Sequence, residues 1–164
     1  MVTIEAAERM IREVMQSKPE LTDFGFGVSR LDPLSADERQ HEFEIERAKL
    51  LLPQSLAQFG RAYDWLSRWD KRRTLNKFGG SYRLKHVAAH DIGHVTNGVF
   101  IAAAVSAGFE VKRMYGGPNA CLNITKYAFY SARRKALIIE QQSARSARRA
   151  IDRIHLLHDG ACSR

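Results

Sequence analysis

The stretch SYRLKHVAAHDIGHVTNGVFIAAAVSAGFEVKRMYGGPNACLNI, residues 81–124, decides how this chain is read. Ser81 is a capping residue type, and the ten residues 82–91 that follow it hold no Gly or Pro, which predicts a helix ending at the interruption by Gly93. Thr96 or Asn97 can cap a second helix over 99–105, and Gly108 closes it as a C-terminal glycine does. Residues 109–115 and 120–124 flank Gly116-Gly117-Pro118-Asn119, which predicts a β-hairpin with a four-residue loop. Helix, short turn, helix, hairpin is the order of a winged helix-turn-helix, and Ala89, Gly93 and Val99 fall near its small, turn and packing positions. Two features depart from that pattern. His94 stands where an aliphatic residue is usual, and the second helix is almost wholly apolar, so only Thr96 and Asn97 at its start are placed to reach a base edge.

Toward the N-terminus, Thr3 caps a helix whose apolar stripe is Ile4, Ala7, Ile11, Val14 and Met15, ending near Lys18-Pro19. Residues 20–33 read as a loop or short strand, with Gly25 and Gly27 too few to make a phosphate loop. Ser35 and Glu38 have capping-box spacing and open a second helix that runs past Phe43, Ile45 and Leu50 toward Leu52, with a break at Pro53. A third helix puts Phe59, Ala62, Tyr63, Leu66 and Trp69 on one face and is expected to end in the basic run at 71–73, with Trp69 in the core and Trp65 open to either role. Beyond 125 the chain reads as a basic helix with an apolar seam at Leu137, Ala144 and Ile151. The expected fold is mainly α with one β-hairpin, a winged helix-turn-helix-like core flanked by helices. It forms one domain over 1–164: an acidic helical part (1–60), a basic core (61–124) and a basic C-terminal helix (125–164).

Charge is unevenly spread along the 164 residues. Residues 1–60 hold 7 basic and 11 acidic side chains, whereas residues 61–164 hold 19 and 7, so the second part attracts polyanions by releasing their counterions. A hydrophobic content of 45% excludes wholesale disorder. The expected partner is therefore nucleic acid, DNA ahead of RNA, gripped mostly by its phosphates. The candidate contacts are Lys71, Arg72, Arg73, Lys77, Arg83, Lys85, Thr96, Asn97, Lys112, Arg113, Arg133, Arg134 and Lys135. The C-terminal seam offers a homodimer contact. The uncharged run around 95–105 is broken by Gly93, Asn97 and Gly98 and falls short of the ~20 apolar residues a bilayer requires, so no membrane partner is expected. Cys121 and Cys162 form no Cys-x-x-Cys pair, and the N-terminus is charged from Glu5 onward, so a reducing, cytoplasmic setting is expected.

Three patterns carry chemistry. His86, His90 and His94 recur every fourth residue, a spacing that lets two imidazoles share one metal. The string His90-Asp91-Ile92-Gly93-His94 resembles the core of HD-domain phosphohydrolases. That resemblance implies that His90 and Asp91 hold a metal that activates water against a phosphate ester, with His41 or His86 upstream and Asp152 or Asp159 downstream completing the site. The same string is similar to the His-Glu-x-x-His zinc-protease motif, with the shorter Asp91 in the place of the general base. Trp65 and Trp69 alternate with Arg68, Lys71, Arg72 and Arg73, a combination suited to stacking on unpaired bases. Cys121 has no neighbouring base and no Gly-x-Ser-x-Gly elbow occurs, so no catalytic residue is nominated. Three blocks, 81–86, 96–104 and 117–120, resemble small uncharacterised proteins of bacterial mobile elements, which implies a bacterial cytoplasmic setting. The expected function is nucleic-acid binding, with a regulatory role, and neither cofactor nor metal is assigned. The alternatives are a metal-dependent phosphohydrolase built on His90 and Asp91, and a protein-interaction module or inhibitor.

Overall fold

Thr3 accepts the amide of Ala6 through its hydroxyl at 3.2 Å and starts α1 (Ile4–Ser17), which buries Ala7, Ile11 and Val14. The computed structural model describes residues 2–29, 34–76, 79–125 and Arg148; the chain divides into Met1–Phe129 and Tyr130–Arg164, and every described residue except Arg148 lies in the first unit. After α1 come β1 (Leu21–Thr22) and β2 (Gly25–Phe26), an antiparallel pair with Leu21 opposite Phe26. Gly25 has φ of 129°, and a Cβ there would lie 2.2 Å from the carbonyl oxygen of Pro118, so only glycine fits.

Ser35 and Glu38 form the capping box of α2 (Ala36–Ala48), each closing on the other's backbone amide. This helix buries none of its own residues. It is held at its last turn by Arg47, whose guanidinium donates to the carbonyls of Met15, Pro19 and Leu21. A 3-10 turn (Lys49–Leu51) then sinks Leu50 into the core. Pro53 occupies the first turn of α3 (Pro53–Leu66), where its missing amide hydrogen costs no bond.

The remaining elements are α4 (Ser81–Ile92), α5 (Asn97–Ser106), β3 (Val111–Arg113) and β4 (Ala120–Leu122). All eight residues from Asn97 to Ala104 are buried, because α5 is apolar on every face and can only be a central helix. It packs most extensively on α3 and also on α1 and α4. Both strand pairs bring their turns to its first turn: the Gly98 amide donates to Asp23 O, and the Asn97 side chain reaches Pro118 and Asn119. No described helix is long and apolar enough to cross a membrane.

Among the described residues the chain is mainly helical with two small antiparallel strand pairs, one more than the single hairpin expected. The third helix is shorter than its stripe implied. It stops at Leu66 because residues 70–76 leave to bond with 122–125: Arg72 N donates to Asn123 O at 2.6 Å, Asn76 N to Leu122 O at 2.8 Å and Thr125 N to Asp70 O at 3.2 Å. Trp65, which could have taken either role, lies in the core at 1% exposure, whereas Trp69, expected in the core, is half-buried beyond the helix end. Ser81 is not the cap of α4 either; Gly80 is, and the Ser81 hydroxyl turns inward to Asn97 and the Ala120 amide. The C-terminal seam, with Lys77, Arg133, Arg134 and Lys135, lies outside the described residues.

Candidate nucleic-acid interface

β4 has a chain on each side. β3 pairs with it through Val111 and Leu122, Lys112 and Cys121, and Arg113 and Ala120, while isolated bridges join Lys71 to Ile124 and Gly80 to Cys121 on the other edge. A three-chain ribbon results, and its outer chains carry Lys71, Arg72, Arg73 and Lys112. Lys71, Arg73 and Lys112 are exposed and Arg72 is half-buried. Among the described residues none of the four is ion-paired: the Lys71 ammonium lies 5.3 Å from the centre of the Phe109 ring, and Arg72 reaches the Thr74 hydroxyl at 3.5 Å. The acidic half differs, with Glu8 on Arg12, Glu46 on Lys49 and Glu20 on Arg113.

At the end of the ribbon the loop from Met114 to Asn119 is closed by Met114 N donating to Asn119 O and Gly117 N to Met114 O, both at 2.8 Å. Tyr115 stands at its tip in the left-handed region, φ 45°, with its ring fully exposed. A non-glycine residue there costs about 1–2 kcal/mol, so the loop holds an aromatic ring outward against a backbone penalty. Leu75, Met114 and Cys121 line a cavity of about 310 Å³ beside Tyr115 and Lys112. An apolar shelf thus adjoins the Lys112 ammonium.

Arg113 has a different role from its neighbours. Its guanidinium donates to Gly117 O at 2.9 Å and Gly116 O at 2.8 Å, pairs with the Glu20 carboxylate at 2.8 Å and covers the Phe26 ring. It clamps the loop onto the first strand pair, so its donors are turned toward the protein.

Thr96 and Asn97 are also drawn inward. The Thr96 hydroxyl donates to Asp23 Oδ1 at 2.7 Å and accepts the Val99 amide at 3.4 Å. Asn97 is 6% exposed; its Oδ1 accepts from Ser81, and its Nδ2 faces Phe24 O, Pro118 O and Asn119 Oδ1 at 3.1 to 3.3 Å. These two residues join four elements and present no donor to a groove. On α4, Arg83 is exposed and Lys85 is buried.

The histidine cluster forms no metal centre among the described residues, where no three His, Cys, Asp or Glu side chains converge. Asp91 Oδ2 accepts the Trp65 indole N–H at 2.9 Å, and Arg61 donates to the Ile92 and His94 carbonyls, covering the end of α4. His86 packs edge-on against Tyr82, and its pKa is lowered by burial first and then by Lys85, His94 and His90. Asp152 and Asp159 lie outside the described residues.

Sequence reasoning missed Tyr115. Its one signal was position, an aromatic residue immediately before Gly116-Gly117 in a hairpin loop. No protein-family model matches the chain, no curated protein matches its sequence and no solved structure matches its fold.

Proposed function

We propose that this protein binds nucleic acid, with Lys71, Arg72, Arg73 and Lys112 holding phosphates along the ribbon and Tyr115 stacking on an accessible base. The observation that carries this reading is the ribbon register, which brings two separate basic segments onto one β4-centred element, with none of the four cations ion-paired among the described residues. Phosphate contacts of this kind position a protein without reading sequence, so selectivity among sequences is modest. A single ring on a rigid tip adds a stacking platform that every base can use.

The helix-turn-helix order of 81–122 supports a winged arrangement in which the hairpin makes contact. α5 is enclosed on all sides and cannot enter a groove. DNA remains the first candidate, in the cytoplasm, and a regulatory protein of a bacterial mobile element fits both the charge and the resemblance. The basic residues at 133–135 and a homodimer through the C-terminal seam belong to this reading by sequence alone. The phosphohydrolase alternative finds less support, because Asp91 is engaged by Trp65.

Binding to labelled duplex DNA, single-stranded DNA and RNA tests the proposal, with Arg72→Glu/Arg73→Glu and Lys112→Glu alongside the parent chain. The expected result is binding that weakens steeply with salt and falls at least tenfold in each variant, with unfolding temperatures unchanged. Absent binding, or binding indifferent to salt and to these charges, overturns it.

A further inference from the structure

A cleft of about 520 Å³ opens beside the first turn of α5, a volume within the ~300–1,000 Å³ range of small-molecule sites. Its walls come from the β1–β2 turn (Asp23, Phe24), from α4 (Tyr82, Lys85) and from the β3–β4 loop (Asn119). Three features of the walls fit one kind of ligand.

Lys85 is 9% exposed, and its ammonium makes no hydrogen bond or ion pair among the described residues. The Tyr82 ring lies 5.0 Å from it, and the Lys85 charge lowers the pKa of His86. Burial lowers the pKa of Lys85 itself, and among the described residues no carboxylate is ion-paired with it. A largely buried cation is ordinarily paired, and this one lines the cleft.

Two aromatic rings on the same walls are left open to solvent, Phe24 at 41% and Tyr82 at 52% exposure. They offer flat apolar surface to a planar ring. Away from Lys85, Asp23 gives only Oδ1 to Thr96, leaving its second oxygen to accept an N–H. Among the described residues the charges acting on Asp23 come from Glu46, Lys49 and His94.

We propose that this cleft binds a single nucleotide, its phosphate on Lys85, its base against Phe24 and Tyr82, and a base amino group on Asp23. The site is separate from the ribbon: no ribbon cation lines it. A free nucleoside monophosphate and the 5′-phosphorylated end of a strand carry the same chemistry.

Calorimetric titration with AMP, CMP, GMP, UMP, adenosine and inorganic phosphate tests the assignment, together with short oligonucleotides bearing or lacking a 5′-phosphate. The parent chain, Lys85→Met and Arg72→Glu/Arg73→Glu are compared. One nucleotide is expected to bind per chain, with AMP, CMP and GMP tighter than UMP and with adenosine at least tenfold weaker than AMP. Lys85→Met should lose at least tenfold in AMP affinity while unfolding at the same or a higher temperature, since it replaces a largely buried charge by an apolar side chain of similar length. The Arg72→Glu/Arg73→Glu chain should bind AMP like the parent, so that failure on the ribbon and failure in the cleft are told apart. A 5′-phosphorylated strand that outcompetes AMP identifies a strand end as the source, and the reverse identifies the free nucleotide. No saturable binding of any nucleotide, equal affinity for adenosine and AMP, or unaltered AMP binding by Lys85→Met overturns the proposal.

Discussion

The Thr96 hydroxyl donates to Asp23 Oδ1 across 2.7 Å, joining residues 73 positions apart and fixing the β1–β2 turn against the start of α5. The same hydroxyl caps α5 by accepting the Val99 amide. Thr96→Val removes both bonds and leaves the half-buried carboxylate without its donor. A helix cap alone is worth about 1 kcal/mol, so a loss of about 1–3 kcal/mol is expected in denaturant unfolding.

Burial holds the Asp23 carboxyl above its ordinary 3.8, and the Thr96 bond only partly offsets this. Between pH 3.8 and its higher folded-state value the folded chain therefore keeps a proton at Asp23 that the unfolded chain has released, and the stability this site contributes at low pH is lost as pH rises through that window. Asp23→Asn keeps an acceptor oxygen for Thr96 and carries no charge. It is expected to unfold at a higher temperature than the parent at pH 7, with the difference shrinking as pH falls toward 3.8. A difference that grows on acidification would contradict this sign.

Gly98 sits where α5 meets the β1–β2 turn, and a Cβ there would stand 1.8 Å from the carbonyl oxygen of Thr22. Backbone cannot yield that distance cheaply, so Gly98→Ala should cost about 3 kcal/mol or more and lower the unfolding midpoint accordingly.

Tyr115 separates stability from binding. Tyr115→Gly relieves a left-handed backbone and removes a ring that touches little, so the unfolding free energy should stay level or rise by up to about 1 kcal/mol. Affinity for single-stranded nucleic acid should fall, by about 1–3 kcal/mol for one lost stacking contact. A parallel loss of both would make the ring structural.

Much of the first unit was legible because its signals are local. Thr3, the Ser35 and Glu38 box and Thr96 each act within four residues of themselves and take those roles, and a hairpin forms around Gly116-Gly117, though six residues, 114–119, separate its strands rather than the four expected. The helix end at Leu66 was not legible, since the apolar stripe continues to Trp69 and what stops the helix is a partner chain some fifty residues later. Arg113 and Lys85 look alike in sequence, as basic residues among others. One is a loop clamp and the other a largely buried cation in a cleft wall, and only tertiary packing distinguishes them. For Asn97, an expected base contact, the decisive fact is burial of a helix start between two turns, which no local pattern records.

The most direct measurement is the slope of log affinity for duplex DNA against log salt concentration, for the parent chain and for Arg73→Gln/Lys112→Gln. Each phosphate contact adds about −0.9 to that slope. If the ribbon grips phosphates, the slope is steep and the double variant is shallower by roughly 1.8 with its fold intact. Equal slopes for the two proteins, or no measurable affinity at low salt, would contradict the assignment of the ribbon.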